Sequence, residues 1–415
     1  MQLSGFAKQL SGDSSIVDLM EDLGDALNVN PDMLFLGGGN PAQIPKFEAL
    51  MGRHLSEVVS DADSLHRLLG VYQSPQGSES LIANLVQYFR KLSWSVDASN
   101  ICITNGSQSA FFMLSNLFAG DLGGGMHKRI CLPMLPEYLG YADQGVASNM
   151  FYGQAPIINS LGEHEFKYGI DFERLVVDEG TAALCVSRPT NPTGNVANKD
   201  EIAQLESLAE AQGIALIIDC AYGQPFPGIV YDDEATLEWT ENRVFVLSLS
   251  KLGLPGARTG IVVGPSELIK RLVKMNTILS LANGNLGPVL MNSLLENDEL
   301  DSSCRTIIRP FYEEKRHIAL ALVAQYFKGI SYRVHKAEGA FFLWLNFPGL
   351  PITSRELYQR LKLRKVLVMD GSPFFFGLHE SWDHARECIR VSYCQSPDVL
   401  ERAMEIIANE IRGLS

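Results

Sequence analysis

The sequence predicts an α/β protein in two parts: a large domain with a mainly parallel central sheet flanked by helices, and a smaller α+β domain. Three observations lead there. Short apolar runs recur at Ile101–Thr104, Ile130–Leu132, Ala182–Ser187, Ile214–Asp219, Val244–Leu249 and Gly260–Val263. Most are apolar on both alternating faces, as strands covered by helices on both sides must be. Helical patterns separate them: Ser107–Leu117 follows the first run, and Asp200–Gln212 carries Ile202, Leu205 and Leu208 at spacings of three. That alternation is the α/β signature. After about Leu286 the pattern changes, and 415 residues are too many for one small domain.

The later elements follow in order. Asp301–Phe327 reads as one long helix with Pro310 as a kink or boundary. Mixed strand and helix patterns then cover His335–Leu345, Ser354–Leu363, Val366–Met369 and Arg386–Tyr393, with a terminal helix from Pro397. The expected division is 1–45 as an N-terminal segment packing with the small domain, 46–290 as the large domain and 291–415 as the small C-terminal domain.

Composition bounds the function. Apolar residues make up 46% and charged residues 20%, a globular profile, and the formal charge of −14 argues against a non-specific nucleic-acid surface. The seven cysteines are odd in number and form no CxxC pair, so neither a disulfide framework nor a zinc site is expected. The eight histidines show no metal-ligand spacing. The opening residues lack the apolar core of a signal peptide, and the longest uncharged stretches carry several Gly, Asn and Ser residues, so no membrane span is expected. The cytoplasm is the expected location.

The chemistry-bearing residues cluster at strand ends. Val244-Phe-Val-Leu-Ser-Leu-Ser-Lys251 closes a strand with a lysine. Alone, such a lysine is usually a solvated loop residue. In a buried site it is costly unless paired or neutral, and a neutral amine can form a Schiff base with an aldehyde. Ser248, Ser250 and Arg258 would put two hydroxyls and a guanidinium around one anion. Asp219 closes the run Ile214-Ala-Leu-Ile-Ile-Asp219. It is either a helix cap or metal ligand, or a carboxylate paired with a protonated ring nitrogen; Tyr222 could then donate to that ring's phenolate oxygen.

Asn191-Pro-Thr-Gly194 is an ordinary turn by composition, yet at a strand's carboxyl end Asn191 could aim its amide into a ligand crevice. Gly106-Ser107-Gln108 opens a helix, where backbone amides and the helix dipole favour an anion. Arg390 sits in a strand of the smaller domain; facing inward, it would need an anion such as a substrate carboxylate. Gly37-Gly-Gly39-Asn-Pro41 lacks the P-loop lysine and the dinucleotide spacing. Tyr138 could stack on a flat ring or be an ordinary rim aromatic.

Taken together, Gly39…Pro41, Tyr72, Gly106-Ser107-Gln108, Tyr138, Asn191-Pro-Thr-Gly, Asp219-x-Ala-Tyr222, Ser248-x-Ser-Lys251, Arg258 and Arg390 resemble the class I/II aminotransferases over nearly the whole chain. The resemblance implies the fold type I of pyridoxal-phosphate-dependent transferases, with pyridoxal 5'-phosphate as cofactor. Lys251 then resembles the Schiff-base lysine and Asp219 the ring-nitrogen partner. Asn191 and Tyr222 match the residues at the phenolate oxygen, and Tyr138 the stacking aromatic. Gly106, Ser107, Gln108, Ser248, Ser250 and Arg258 fall in the phosphate loop positions. Arg390 matches the arginine for the substrate α-carboxylate, with Asn191 and the small residue Gly39 beside it. Tyr72 resembles the tyrosine that reaches the neighbouring subunit's phosphate, which implies a homodimer. Lys251 and Arg258 are seven positions apart, one fewer than is usual in the family.

The implied reaction exchanges an amino group between amino acids and 2-keto acids, as in amino-acid biosynthesis. Between Lys274 and Arg305 no lysine or arginine occurs, which disfavours a second carboxylate on the substrate. The resemblance implies L-valine with pyruvate as the pair, giving 3-methyl-2-oxobutanoate and L-alanine. The alternatives are aromatic or broad neutral specificity, or a lyase on the same fold. A regulator built on this fold would need a DNA-binding module, and no basic extension is present.

Overall fold

The computed structural model describes residues 2–12, 14, 17, 21–22, 24, 30, 32–232 and 236–414. Part of the expected N-terminal segment 1–45 therefore lies outside the described residues.

The larger sheet contains β2 (Ile101–Thr104), β3 (Gly120–Gly123), β4 (Met126–Leu132), β5 (Phe151–Gly153), β8 (Thr181–Ser187), β9 (Ala215–Asp219), β10 (Arg243–Ser248) and β11 (Gly260–Val263). Its spatial order is β2-β11-β10-β9-β8-β4-β3, with β5 also on β4. The pairs β10–β9, β9–β8, β8–β4 and β4–β5 are parallel. Only β11 and β3 run against their neighbours. Every residue of β2, β8, β10 and β11 is buried, which is why these strands read as unbroken apolar runs.

This register decides where chemistry can happen. Ser187 lies opposite Asp219 at the ends of β8 and β9, and Ser248 pairs with Gly260, which pairs with Thr104. The carboxyl ends of β2, β8, β9 and β10 thus share one edge of the sheet. The connection from β10 to β11 passes over that edge and carries Lys251 and Arg258. Ligands of open α/β sheets bind at such an edge.

The second sheet runs β15 (Met369–Asp370), β16 (Cys388–Ser392), β13 (Phe342–Asn346), β12 (Arg333–His335), β7 (Glu165–Gly169) and β6 (Ile157–Ser160). The β6–β7 hairpin comes from the stretch 46–290 yet pairs with β12. Its alternating pattern, with Phe166 and Tyr168 buried, suits a sheet covered on one face. Near the amino end, β1 (Leu34–Phe35) runs parallel to β14 (Val366–Leu367), and Ser392 N–H donates to Leu36 O at 2.8 Å.

The long helix expected over Asp301–Phe327 is present but interrupted. An α-helical turn at Glu299–Ser303 passes through a π-helical turn at Cys304–Ile308 before the helix Arg309–Tyr326. Pro310 has no N–H to give and its ring crowds the preceding turn; the widened turn relieves both.

Candidate active site

A cavity of about 350 Å³ opens at the carboxyl edge of the larger sheet and is closed on one side by the second sheet. Gly39, Ser107, Gln108, Tyr138, Asn191, Asp219, Tyr222, Ser248, Ser250, Lys251, Arg258 and Arg390 all line it. Gly106 stands directly behind Arg258: with φ at +88°, a Cβ there would lie 2.3 Å from the guanidinium Nη2. Tyr72 does not line the cavity and is 83% exposed.

Lys251 is the half-buried amine of the site. Its Nζ donates to Gly39 O at 2.6 Å and lies 5.4 Å from the Tyr222 ring centre and 5.8 Å from that of Phe341. Burial pushes its pKa down from 10.5 to about 8. No carboxylate forms an ion pair with it among the described residues. An amine in this state is a nucleophile and a base near neutral pH.

At one end of the cavity the donors suit an anion. The helix Ser107–Phe118 has Gly106 as its N-cap and no side-chain cap, so its first amides are available. Arg258 Nη1 donates to Ser250 Oγ at 3.4 Å, and Ser250 N–H donates to Ser248 Oγ at 3.2 Å. Arg258 has a left-handed backbone, φ 44° and ψ 55°, a strained state for a side chain of this size.

At the other end stands Asp219. Its Oδ1 accepts the Ala221 N–H at 2.8 Å and its Oδ2 accepts the Tyr141 hydroxyl at 2.6 Å. Burial raises its pKa; those two bonds and the charge of Lys251 act the other way. A buried carboxylate that forms no ion pair among the described residues is what a protonated ring nitrogen would complete. Tyr138 lies against the cavity, edge-on to Tyr141 at 5.3 Å, with its hydroxyl 3.4 Å from Gln108 Oε1.

Arg390 reaches the cavity from β16. Its Nη1 donates to Asn191 Oδ1 and its Nη2 to Gly37 O, both at 2.6 Å. Its Nε is buried without a partner. The guanidinium carbon lies 4.2 Å from the Phe342 ring centre and 5.3 Å from that of Phe374. Burial pulls its pKa down to about 10, so it remains a cation at neutral pH. A buried cation with an unused donor beside a cavity calls for a ligand carboxylate.

The donor set therefore fits a flat heteroaromatic ring carrying a phosphate at one end, a ring nitrogen at the other and an aldehyde toward Lys251. Several members of the site were not legible beforehand. Tyr141, Glu137 and Ser187 form the hydrogen-bonded backing of Asp219. Tyr141 lies three residues after Tyr138, a helical spacing that could have suggested a shared face. Met369 lines the cavity opposite Arg390 in the sheet register; no feature of its local sequence marks it.

Comparison with known proteins agrees with this geometry. The model of the family "Aminotransferase class I and II" matches residues 51–407. The valine–pyruvate aminotransferase of Escherichia coli K12 is 44% identical over 412 residues, 99% of this chain and 98% of that protein. The crystal structure of valine–pyruvate aminotransferase from Salmonella typhimurium LT2 superposes with a TM-score of 0.89 at 43% identity, covering 96% of this chain and 98% of the other. Aspartate aminotransferase from Thermus thermophilus, with maleate, shares the fold: TM-score 0.80, 20% identity, 99% of each chain covered.

Proposed function

This chain belongs to the class I and II aminotransferases, and from that premise we propose that it transfers the amino group between L-valine and pyruvate on pyridoxal 5'-phosphate. The observation that carries the chemistry is the convergence of Lys251, Asp219 and Arg390 on one cavity. Two full-length relatives above 40% identity bear the valine–pyruvate name, which supports the substrate pair. The cations lining the cavity are Lys251, Arg258 and Arg390. With the first two committed to the cofactor, one remains for the α-carboxylate, which suits an uncharged side chain.

When bound, the cofactor supplies an electron-accepting ring that stabilises negative charge at the substrate α-carbon. The chain's residues do the rest. Ser107, Gln108, Ser248, Ser250 and Arg258, with Gly106 leaving the room, hold the phosphate. Asp219 would hold a proton on the ring nitrogen. Asn191 and Tyr222 would serve the phenolate oxygen, and Tyr138 would cover the ring. Lys251 Nζ would hold the cofactor at its aldehyde, and as a free amine it would be the base that takes the proton from the substrate α-carbon. Arg390 grips the α-carboxylate and fixes the angle at which that proton is presented.

We assign the same three-part division, 1–45, 46–290 and 291–415, with the hairpin at 157–169 contributed to the small domain's sheet. All seven cysteines are unpaired, which supports a reducing, cytoplasmic setting. A homodimer is proposed from the position of Tyr72. Among the described residues no helix is long and apolar enough to cross a membrane.

The absorbance spectrum of the purified protein, recorded after L-valine, L-alanine or L-aspartate without a keto acid, tests the reading. Valine and alanine should convert the cofactor band to the pyridoxamine form while aspartate does not. Conversion by aspartate alone would overturn the substrate pair, and absence of a cofactor band after reconstitution would overturn the chemistry.

A further inference from the structure

Behind Asp219 lies a second carboxylate that the reaction above does not use. Glu137 is fully buried and forms no ion pair among the described residues. Its Oε1 accepts the Ser187 N–H at 2.7 Å; its Oε2 is 2.6 Å from Ser187 Oγ and accepts the Tyr138 N–H at 3.2 Å. Ser187 Oγ is in turn 3.2 Å from the Tyr141 hydroxyl, which is 2.6 Å from Asp219 Oδ2. Four oxygen-bearing groups thus form one chain from Glu137 to Asp219.

Counting protons along that chain separates two states. If Glu137 is ionised, Ser187 must donate to it and Tyr141 must donate to Asp219. The contact between Ser187 and Tyr141 then holds two oxygens with no hydrogen between them, and two carboxylates share one buried region. If Glu137 carries a proton, every contact is filled in one direction: Glu137 to Ser187, Ser187 to Tyr141, Tyr141 to Asp219. Asp219 is then left as a pure acceptor.

We propose that Glu137 is a positioning residue, protonated in the working enzyme, heading a one-way donor chain that keeps Asp219 ionised and aimed at the ring nitrogen. The titratable groups facing it are Tyr138 and Tyr141 from its own loop, Cys185 from β8 and Asp219 from β9, none of them a cation. Burial, with the charge of Asp219 adding to it, pushes the Glu137 pKa up to about 8. The inference rests on Asp219 facing the ring nitrogen, as proposed above.

Infrared spectra of the holoenzyme, wild type minus Glu137→Gln near neutral pH, test it directly. A carbonyl stretch of a protonated carboxylic acid, sensitive to deuterium exchange, is expected in the wild type and absent from the variant. No such band means Glu137 is ionised and overturns the proposal. The pH profile of the bound cofactor's visible band is the second readout. Glu137→Gln retains an N–H donor and should keep the wild-type profile, whereas Glu137→Ala and Tyr141→Phe should each move it by about one pH unit, a tenfold change in proton affinity. A shift in Glu137→Gln equal to that in Glu137→Ala overturns the proposal; if Glu137→Gln folds poorly, an unmoved profile in Tyr141→Phe overturns it instead. Absence of any cofactor band would instead defeat the reading of the site, while the same infrared difference on the cofactor-free protein still decides the state of Glu137.

Discussion

Arg390 on the second sheet donates to the side-chain oxygen of Asn191, at the edge of the first, over 2.6 Å. This bond fixes one branch of the guanidinium and the bond to Gly37 O fixes the other. Lysine cannot reproduce that fork or lie flat between Phe342 and Phe374. Arg390→Lys should lower kcat/KM for L-valine by roughly 10–100-fold, since a charged hydrogen bond contributes about 1.5–3 kcal/mol. Asn191→Ala should lower it too, with Arg390 loosened. Steady-state kinetics decide; an unchanged kcat/KM in Arg390→Lys would remove the carboxylate role.

The buried amine makes the cofactor-free protein pH-sensitive. The folded pKa of Lys251 is about 8, against 10.5 in its ordinary state. Between those values the unfolded chain binds more protons, so stability rises with pH across that window. Below it both states are charged and the folded protein carries the full cost of the buried cation. Lys251→Met should therefore stabilise the cofactor-free protein by about 1–2 kcal/mol near pH 7, the partial exposure of the side chain keeping the figure modest. The gap should close toward about pH 10. Urea unfolding at both pH values checks this; a gap of equal size at each would contradict it.

What the sequence disclosed follows from which interactions are local. Strands buried on both faces announce themselves as apolar runs, so all six runs appear as strands of the larger sheet. Residues at strand ends, from Asn191 through Asp219 to Lys251, could be placed because a parallel sheet puts such ends on one edge. By its local sequence Arg390 was legible as a charge within a strand that needs an anion if it faces inward, and only the resemblance assigned it the α-carboxylate. The backing of Asp219 by Tyr141, Ser187 and Glu137 rests on hydrogen bonds that span up to 78 positions, and no local pattern encodes that. The hairpin at 157–169 was missed for the same reason: its partner, β12, lies far along the chain.

Gly260 tests the packing of the anion end. A Cβ at this position would lie 2.6 Å from Gly106 C and Ser107 N and 2.7 Å from Thr104 Oγ1. The first two are backbone atoms of the turn that presents the helix amides, so they cannot yield without moving the site. Gly260→Ala should destabilise the fold by about 1–3 kcal/mol and weaken cofactor retention. Gly256→Ala, with nothing within 4 Å, should do neither. Thermal melts and cofactor titrations of the two variants distinguish a local packing defect from general sensitivity of the loop.

The exposed surface beside the cavity supports the last expectation. Leu69 is 76% exposed, Tyr72 83% and Ile278 87%, with Leu281 and Leu286 also exposed. Asn285 ties this region together by donating to Leu68 O and Val71 O at 3.2 and 2.8 Å. So much apolar surface in one region is the mark of an interface rather than of a solvated face. A second copy of the chain would cover it and could bring Tyr72 to the partner's phosphate site. Leu69→Asp combined with Ile278→Asp should yield a monomer by sedimentation velocity, with weaker cofactor retention. Tyr72→Phe should leave the dimer intact and raise the cofactor dissociation constant by about tenfold, the loss of one charged hydrogen bond. A double variant that stays dimeric would show that the subunits meet elsewhere; a monomer that retains cofactor as tightly as the wild type would show that Tyr72 does not act across the interface.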